Sequence, residues 1–133
     1  MAGASSSTRG VFAGGGASDN EYNTIDFVTI ATTGNASDFG DLTHTTTVNC
    51  AGGSNSTRMI VAGGADTPSY NMVNNIDFLT IATTGNASDF GDLISGQTEK
   101  PAGTSSSTRG LFICGESQPS GTRIKTLQFI TCL

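Results

Sequence analysis

Tryptophan is absent from this chain of 133 residues, and only two Tyr, three Pro, three Cys and one His occur. With His44 alone, no histidine metal cluster is available and no nucleophile paired with a base stands out. Charge is equally sparse: 13% of residues are charged, six Lys and Arg stand against eleven Asp and Glu, and the formal net charge is −5. That balance offers phosphates no basic stripe, so no nucleic acid partner is expected, and an anionic membrane surface would repel the chain. Long apolar runs are missing too. Nothing approaches the ~18 residues of a membrane span, and the opening MAGASSSTRG lacks the apolar segment of a signal peptide. The expectation is a protein made in the cytoplasm, with no membrane insertion. Cys50, Cys114 and Cys132 show no CxxC spacing suited to zinc and are expected as small buried apolar residues. A bridge between Cys114 and Cys132 is not expected, because on two arms of one hairpin they would lie on the order of 20 Å apart.

What is present is an internal repeat. Residues 25–42, IDFVTIATTGNASDFGDL, recur as residues 76–93 with one change, Val28 against Leu79. The flanks extend the match: STRGVFAGG from Ser7 aligns with STRMIVAGG from Ser56 and STRGLFICG from Ser107. Arg9, Arg58 and Arg109 therefore stand 49 and 51 residues apart. A third copy begins and is shorter, with residues 125–131 matching residues 23–29. The units run approximately 1–50, 51–101 and 102–133 within a single repeat domain. Repeats of this period belong to blades, coils or pseudo-symmetric lobes, since one unit cannot bury its own apolar face.

The 18 Gly, with abundant Ser, Thr and Asn, describe a turn-rich chain, and no segment sustains a helical period. The expected class is all-β with almost no helix. Residues 9–15 read as an apolar strand closed by glycines. Residues 23–31 read as a strand with Ile25, Phe27 and Thr29 on one face and Asp26, Val28 and Ile30 on the other. Apolar groups on both faces predict a strand packed between neighbouring sheets. Thr32, Thr33, Gly34 and Asn35 form a tight turn, residues 37–42 a return strand, and residues 43–50 a further strand rich in β-branched side chains.

The glycine pair after an apolar strand, followed by a polar loop and a second strand, resembles a kelch-type propeller blade, although that family's Trp and Tyr pattern is missing. The longer motifs STRGVFAGG and NTIDFVTIATTGNASDFGDLT resemble repeats of bacteriophage virion proteins, especially tail fibres and related structural proteins of marine cyanophages. The resemblance implies a virion surface component, made in the host cytoplasm. The fold expected is about two and a half kelch-like antiparallel repeats of propeller type, completed by oligomerisation because propellers need about four blades or more. The alternative is a β-trefoil or β-prism.

The loops after the glycine pair differ between copies, and loops carry binding. Asp19, Asn20, Glu21, Tyr22, Asp66, Tyr70 and Asn71 are the candidate rim for a partner or glycan, with Tyr as the flat anchor. Asp38, Asp41, Asp89 and Asp92 are read as caps of backbone N–H groups beside Gly40 and Gly91, and no calcium-loop pattern occurs. Asp26 and Asp77 sit mid-strand, where Asp is disfavoured. A hydrogen bond to backbone N–H groups, or to Arg9 and Arg58, is expected to hold them. The triple glycine at 14–16 is followed by neither a helix nor Gly-Lys-Ser, which excludes a phosphate loop. No catalytic residue, metal or cofactor is expected. The function expected is a noncatalytic phage structural protein, a tail-fibre module or capsid decoration, with itself, other virion proteins and a host surface glycan or receptor as partners. The alternative is a lectin-like glycan-binding module.

Overall fold

The computed structural model describes residues 1–17, 20–44, 49–66, 71–94, 98–99, 101–113, 115–117, 120–123 and 125–131. Every regular element among these residues is a β-strand. The first unit holds β1 (Ala2–Ser5), β2 (Arg9–Ala13), β3 (Gly16–Ala17), β4 (Asn20–Glu21), β5 (Thr24–Thr29) and β6 (Ser37–Asp41). The second holds β7 (Ala51–Ser54), β8 (Arg58–Ala62), β9 (Ala65–Asp66), β10 (Asn71–Met72), β11 (Asn75–Thr80) and β12 (Ser88–Asp92). Next come β13 (Thr98–Glu99), β14 (Ala102–Ser105), β15 (Arg109–Ile113), β16 (Glu116–Ser117), β17 (Thr122–Arg123) and β18 (Leu127–Thr131).

Three larger antiparallel sheets result, in the orders β1-β2-β5-β6, β7-β8-β11-β12 and β14-β15-β18. None closes into a barrel among the described residues. From each link between second and third strands projects a small hairpin, β3–β4, β9–β10 or β16–β17, the last with β13 along its edge. The glycine pair bends the chain into that hairpin, with φ of 68° and 131° at Gly14 and Gly15 and of 63° and 113° at Gly63 and Gly64.

The matching segments share one backbone. Val11 pairs with Phe27 and Ala13 with Ile25; Ile60 pairs with Phe78 and Ala62 with Ile76. The register then slips at a bulge between Ile25 and Asp26, and again between Ile76 and Asp77. Residues opposite one another share a face of the sheet. The back face of the first sheet thus carries Val11, Ala13, Ile25 and Phe27, and its front face Phe12, Asp26 and Val28, the division expected from alternation.

The core lies between sheets, not within one. Val11, Ala13, Ile25, Phe39 and Leu42 from the back of the first sheet cluster with Met59, Val61, Leu79, Ile81 and Ala87 from the front of the second. The back of the second sheet, with Ala51, Ile60, Ala62, Ile76 and Leu93, receives Phe112 from the front of the third. Full burial of each of the larger side chains (Val, Leu, Ile, Met, Phe) contributes about 1.5–3 kcal/mol. Strand β7 lies between β1 and β14. The strands approach so closely there that a Cβ built on Gly103 would stand 2.5 Å from the Gly52 carbonyl oxygen.

Residues 2–5 form the first strand of a complete four-stranded sheet. Only the third sheet is short of a fourth strand among the described residues. Residues 43–50 were expected as a strand, yet Thr43, His44 and Asn49 lie in bends, with Asn49 at φ 63°, and residues 45–48 lie outside the described residues. The physical reason is that Thr43 spends its polar groups on the neighbouring unit instead of on a strand partner.

Candidate functional site

In an antiparallel meander the links from first to second and from third to fourth strand fall at one end, and the link from second to third at the other. One end of the stack therefore carries the hairpins, and the opposite end carries the Ser-Thr-Arg turns and the TTGNAS loops. The turns are held by a single side chain each. Ser6 Oγ accepts from the N–H groups of Thr8 (3.2 Å) and Arg9 (3.1 Å), and Ser106 Oγ from those of Thr108 (3.3 Å) and Arg109 (3.1 Å). In the middle unit Asn55 Oδ1 accepts from Thr57 N–H at 2.8 Å and Arg58 N–H at 2.7 Å. A short polar side chain that satisfies its own turn fixes where the strand restarts.

The candidate rim falls on the hairpin end. Asn20 and Glu21 form β4, while Asp66 in β9 faces Asn71 in β10 across the second hairpin. Tyr22 is half exposed just after β4, and Asn71 is exposed. Asp19 and Tyr70 lie outside the described residues. The two tyrosines are not equivalent. The N–H of Tyr22 donates to Gly15 O at 3.1 Å, and the residue in that place in the second unit is Val73, donating to Gly64 O at 3.0 Å. The hairpins are thus a shared scaffold carrying different side chains.

The other end bears a feature the sequence reading passed over. Beneath each TTGNAS loop lies a small open cleft: one of 210 Å³ lined by Phe78, Thr80, Thr83, Gly85, Asn86 and Ser88, and one of 170 Å³ lined by Phe27, Thr29, Thr32, Gly34, Asn35 and Ser37. Hydroxyl and amide groups surround one aromatic ring in each. The only sequence signal for these clefts was the near-identity of the two loops.

Between units runs a polar latch. Thr43 donates from its N–H to Asp77 Oδ2 at 2.9 Å and from its hydroxyl to Asp77 Oδ1 at 2.6 Å. One unit later Ile94 N–H donates to Gln128 Oε1 at 2.6 Å. Ile94 has no hydroxyl, so a neutral amide suffices where Thr43 engages both oxygens of a carboxylate. Asp77 and Gln128 are buried for this reason. Asp26, their counterpart in the first unit, is exposed, and its carboxylate has no hydrogen-bond partner among the described residues. The expectation that Asp26 and Asp77 play one structural role is corrected: the role is made with the preceding unit, and of the two only Asp77 makes it among the described residues.

The arginines bond elsewhere than to these acids. Arg9 lies 4.7 Å over the Phe27 ring, Arg58 5.2 Å over Phe78 and Arg109 5.0 Å over Phe129. Arg9 Nη1 also donates across the interface to the carbonyls of Ile81 (3.2 Å) and Ala82 (2.9 Å). Asp38 and Asp89 do cap backbone, each accepting through Oδ1 from the N–H of Gly40 (3.2 Å) or Gly91 (3.0 Å). Both acids lie in strands beside the bulge, not in turns.

His44 is exposed, its Nδ1 2.6 Å from Thr43 Oγ1. Cys50 is a free, half-buried thiol packed against the first core cluster, while Cys114 and Cys132 lie outside the described residues. Among the described residues no group of three or more His, Cys, Asp or Glu is placed to hold a metal ion, and no helix is long and apolar enough to cross a membrane. No protein-family model matches the chain, and neither does any curated protein.

Proposed function

We propose that the three sheets are blades of a kelch-like β-propeller and that the protein is a noncatalytic structural component of a bacteriophage virion. It serves on the particle surface as a tail-fibre module or capsid decoration, assembled as a homo-oligomer with other virion proteins. The observation that carries the fold reading is the second sheet, buried on both faces: Met59, Val61 and Leu79 on one, Ile60, Ala62 and Ile76 on the other. Blades are packed on both faces in this way, whereas the sheets of a β-prism bury one. The unclosed meanders likewise count against a β-trefoil. The virion reading rests on the resemblance of STRGVFAGG and TIDFVTIATTGNASDFGDL to phage tail-fibre repeats. A stack that presents turns at one end and dissimilar hairpins at the other suits display, where many copies convert weak contacts into avidity. Mass spectrometry of purified phage particles whose genome encodes the chain tests the reading. The chain is expected among the particle proteins at many copies, and its confinement to the unassembled lysate would overturn the virion role.

A second reading, a lectin-like module with the rim or the loop end as its glycan contact, is favoured by one observation: the paired clefts under the TTGNAS loops, each combining a Phe ring with hydroxyl and amide groups. Glycan-array binding that is lost in Asn86→Ala and Thr83→Ala would establish it, and an array without signal would remove it.

A further inference from the structure

Of the nine large apolar side chains left exposed among the described residues, five fall on two faces. Phe12 and Ile30 belong to the front face of the first unit, and Ile113, Leu127 and Phe129 to the back face of the third. These are the two faces that pack together inside the chain wherever a neighbour exists. Phe12 is 44% exposed, while its counterpart in the third unit, Phe112, is fully buried in the site made by Ile60, Ala62 and Ile76. The matching site on the third unit is framed by Leu111, Ile113 and Leu127, of which Ile113 and Leu127 are 54% and 58% exposed.

We propose that these faces are the two halves of one interface between copies. The front of the first unit in one copy docks on the back of the third unit in a second copy, and Phe12 enters the site framed by Leu111, Ile113 and Leu127. The contact continues, between chains, the packing that the chain already makes twice within itself. It is heterologous, so it closes into a ring when the rotation per unit allows. Propellers close with about four to eight blades, and two copies of a three-sheet chain fall within that range. The proposal rests on the propeller reading of the sheets but not on the virion role, which particle composition tests separately.

The intact chain is expected to run in light scattering at twice its 13.5 kDa mass. Phe12→Asp spoils only the front face and Leu127→Asp only the back face. Each variant alone is expected to fall to a single copy with an unchanged circular dichroism spectrum. Mixing the two is expected to restore a two-copy species, because the sound back face of one meets the sound front face of the other. Phe12→Ser replaces Phe12→Asp if the charge unfolds the first unit. A wild-type monomer, variants that remain paired, or a mixture that stays monomeric would each overturn the proposal. The first of these would leave the faces to an unlike partner.

Discussion

Residues 25–42 and 76–93 are almost the same peptide in two settings. Ile81 is fully buried and Ile30 is 55% exposed; Asp77 and Ala87 are buried while Asp26 and Ala36 are open to solvent. The difference runs the other way at the fourth strand. Phe39 is 3% exposed, because the second unit's loop covers it, and Phe90 is 40% exposed. Both phenylalanines keep the same edge-to-face contact within their own sheet, with Phe27 at 5.9 Å and with Phe78 at 6.1 Å. Local sequence therefore sets the sheet and its ring pairs, while burial is decided by whether a neighbour stands before or behind. A unit shapes its strands alone and acquires a core only in the stack, as in repeat architectures generally.

Matched substitutions break this comparison most sharply at the isoleucines. Ile81→Ala is expected to cost about 2–5 kcal/mol of stability, the usual range for emptying a packed site, and Ile30→Ala under about 0.5 kcal/mol, as at exposed positions. Urea denaturation of the two variants, at a concentration where the chain is a single copy, measures the gap. Equal losses would mean that the copies are not differently buried.

The next largest contrast lies at the bulge glycines. Both have positive φ, 145° at Gly40 and 137° at Gly91, but a Cβ on Gly40 would stand 2.5 Å from Gly85 O, whereas Gly91 has nothing within 4 Å. Alanine at either site carries backbone strain. Gly40→Ala is expected to lose a further ~1–3 kcal/mol from overpacking, seen as the lower of two melting temperatures by calorimetry.

The latch comes third. Asp77→Ala removes the carboxylate that accepts from the N–H and hydroxyl of Thr43 and is expected to cost about 1.5–3 kcal/mol, the usual worth of bonds to a charged group, while Asp26→Ala is expected to be silent in the same thermal melt. A destabilised Asp26→Ala would reveal a partner for Asp26 and would move the latch onto the first unit. The smallest effect belongs to the turns. Asn55→Ala, which removes the acceptor for Thr57 and Arg58, is expected to cost about 1 kcal/mol, the usual worth of such bonds.

Much of this architecture was legible in the residues. The strand over Thr24–Thr29 and its two apolar faces followed from alternation, and the return strand at Ser37–Asp41 from the turn before it. Of the four acids expected as caps, Asp38 and Asp89 are caps, beside a bulge instead of in turns, because a register slip leaves no mark in a pattern of period two; Asp41 and Asp92 make no such bond among the described residues. The strand expected over residues 43–50 failed for a related reason. β-branched composition reports local preference, whereas Thr43 is held by a carboxylate 34 positions away. The same distance hid the latch: Asp26 and Asp77 have the same sequence neighbours, and only the stacking tells them apart. Of the rim, the sequence marked the segments as loops but showed neither that they are hairpins nor that Tyr22 is equivalent to Val73, since two extra residues in the second loop shift the alignment. The clefts beneath the TTGNAS loops had only repetition to announce them.

Amide hydrogen exchange, read residue by residue on the unmodified chain at a concentration where it is a single copy, compares the two repeat segments without disturbing either. Gly85 and Ala87 donate their N–H groups to the carbonyls of Phe39 (2.7 Å) and Asp41 (2.8 Å) in the preceding unit, while Gly34 and Ala36 make no such bond among the described residues. The amides of Gly85 and Ala87 are expected to be protected with the core strands, and those of Gly34 and Ala36 to exchange close to the rate of an unstructured peptide. Comparable protection at both pairs, or free exchange at Gly85 and Ala87, would contradict a core made by stacking one unit on the next.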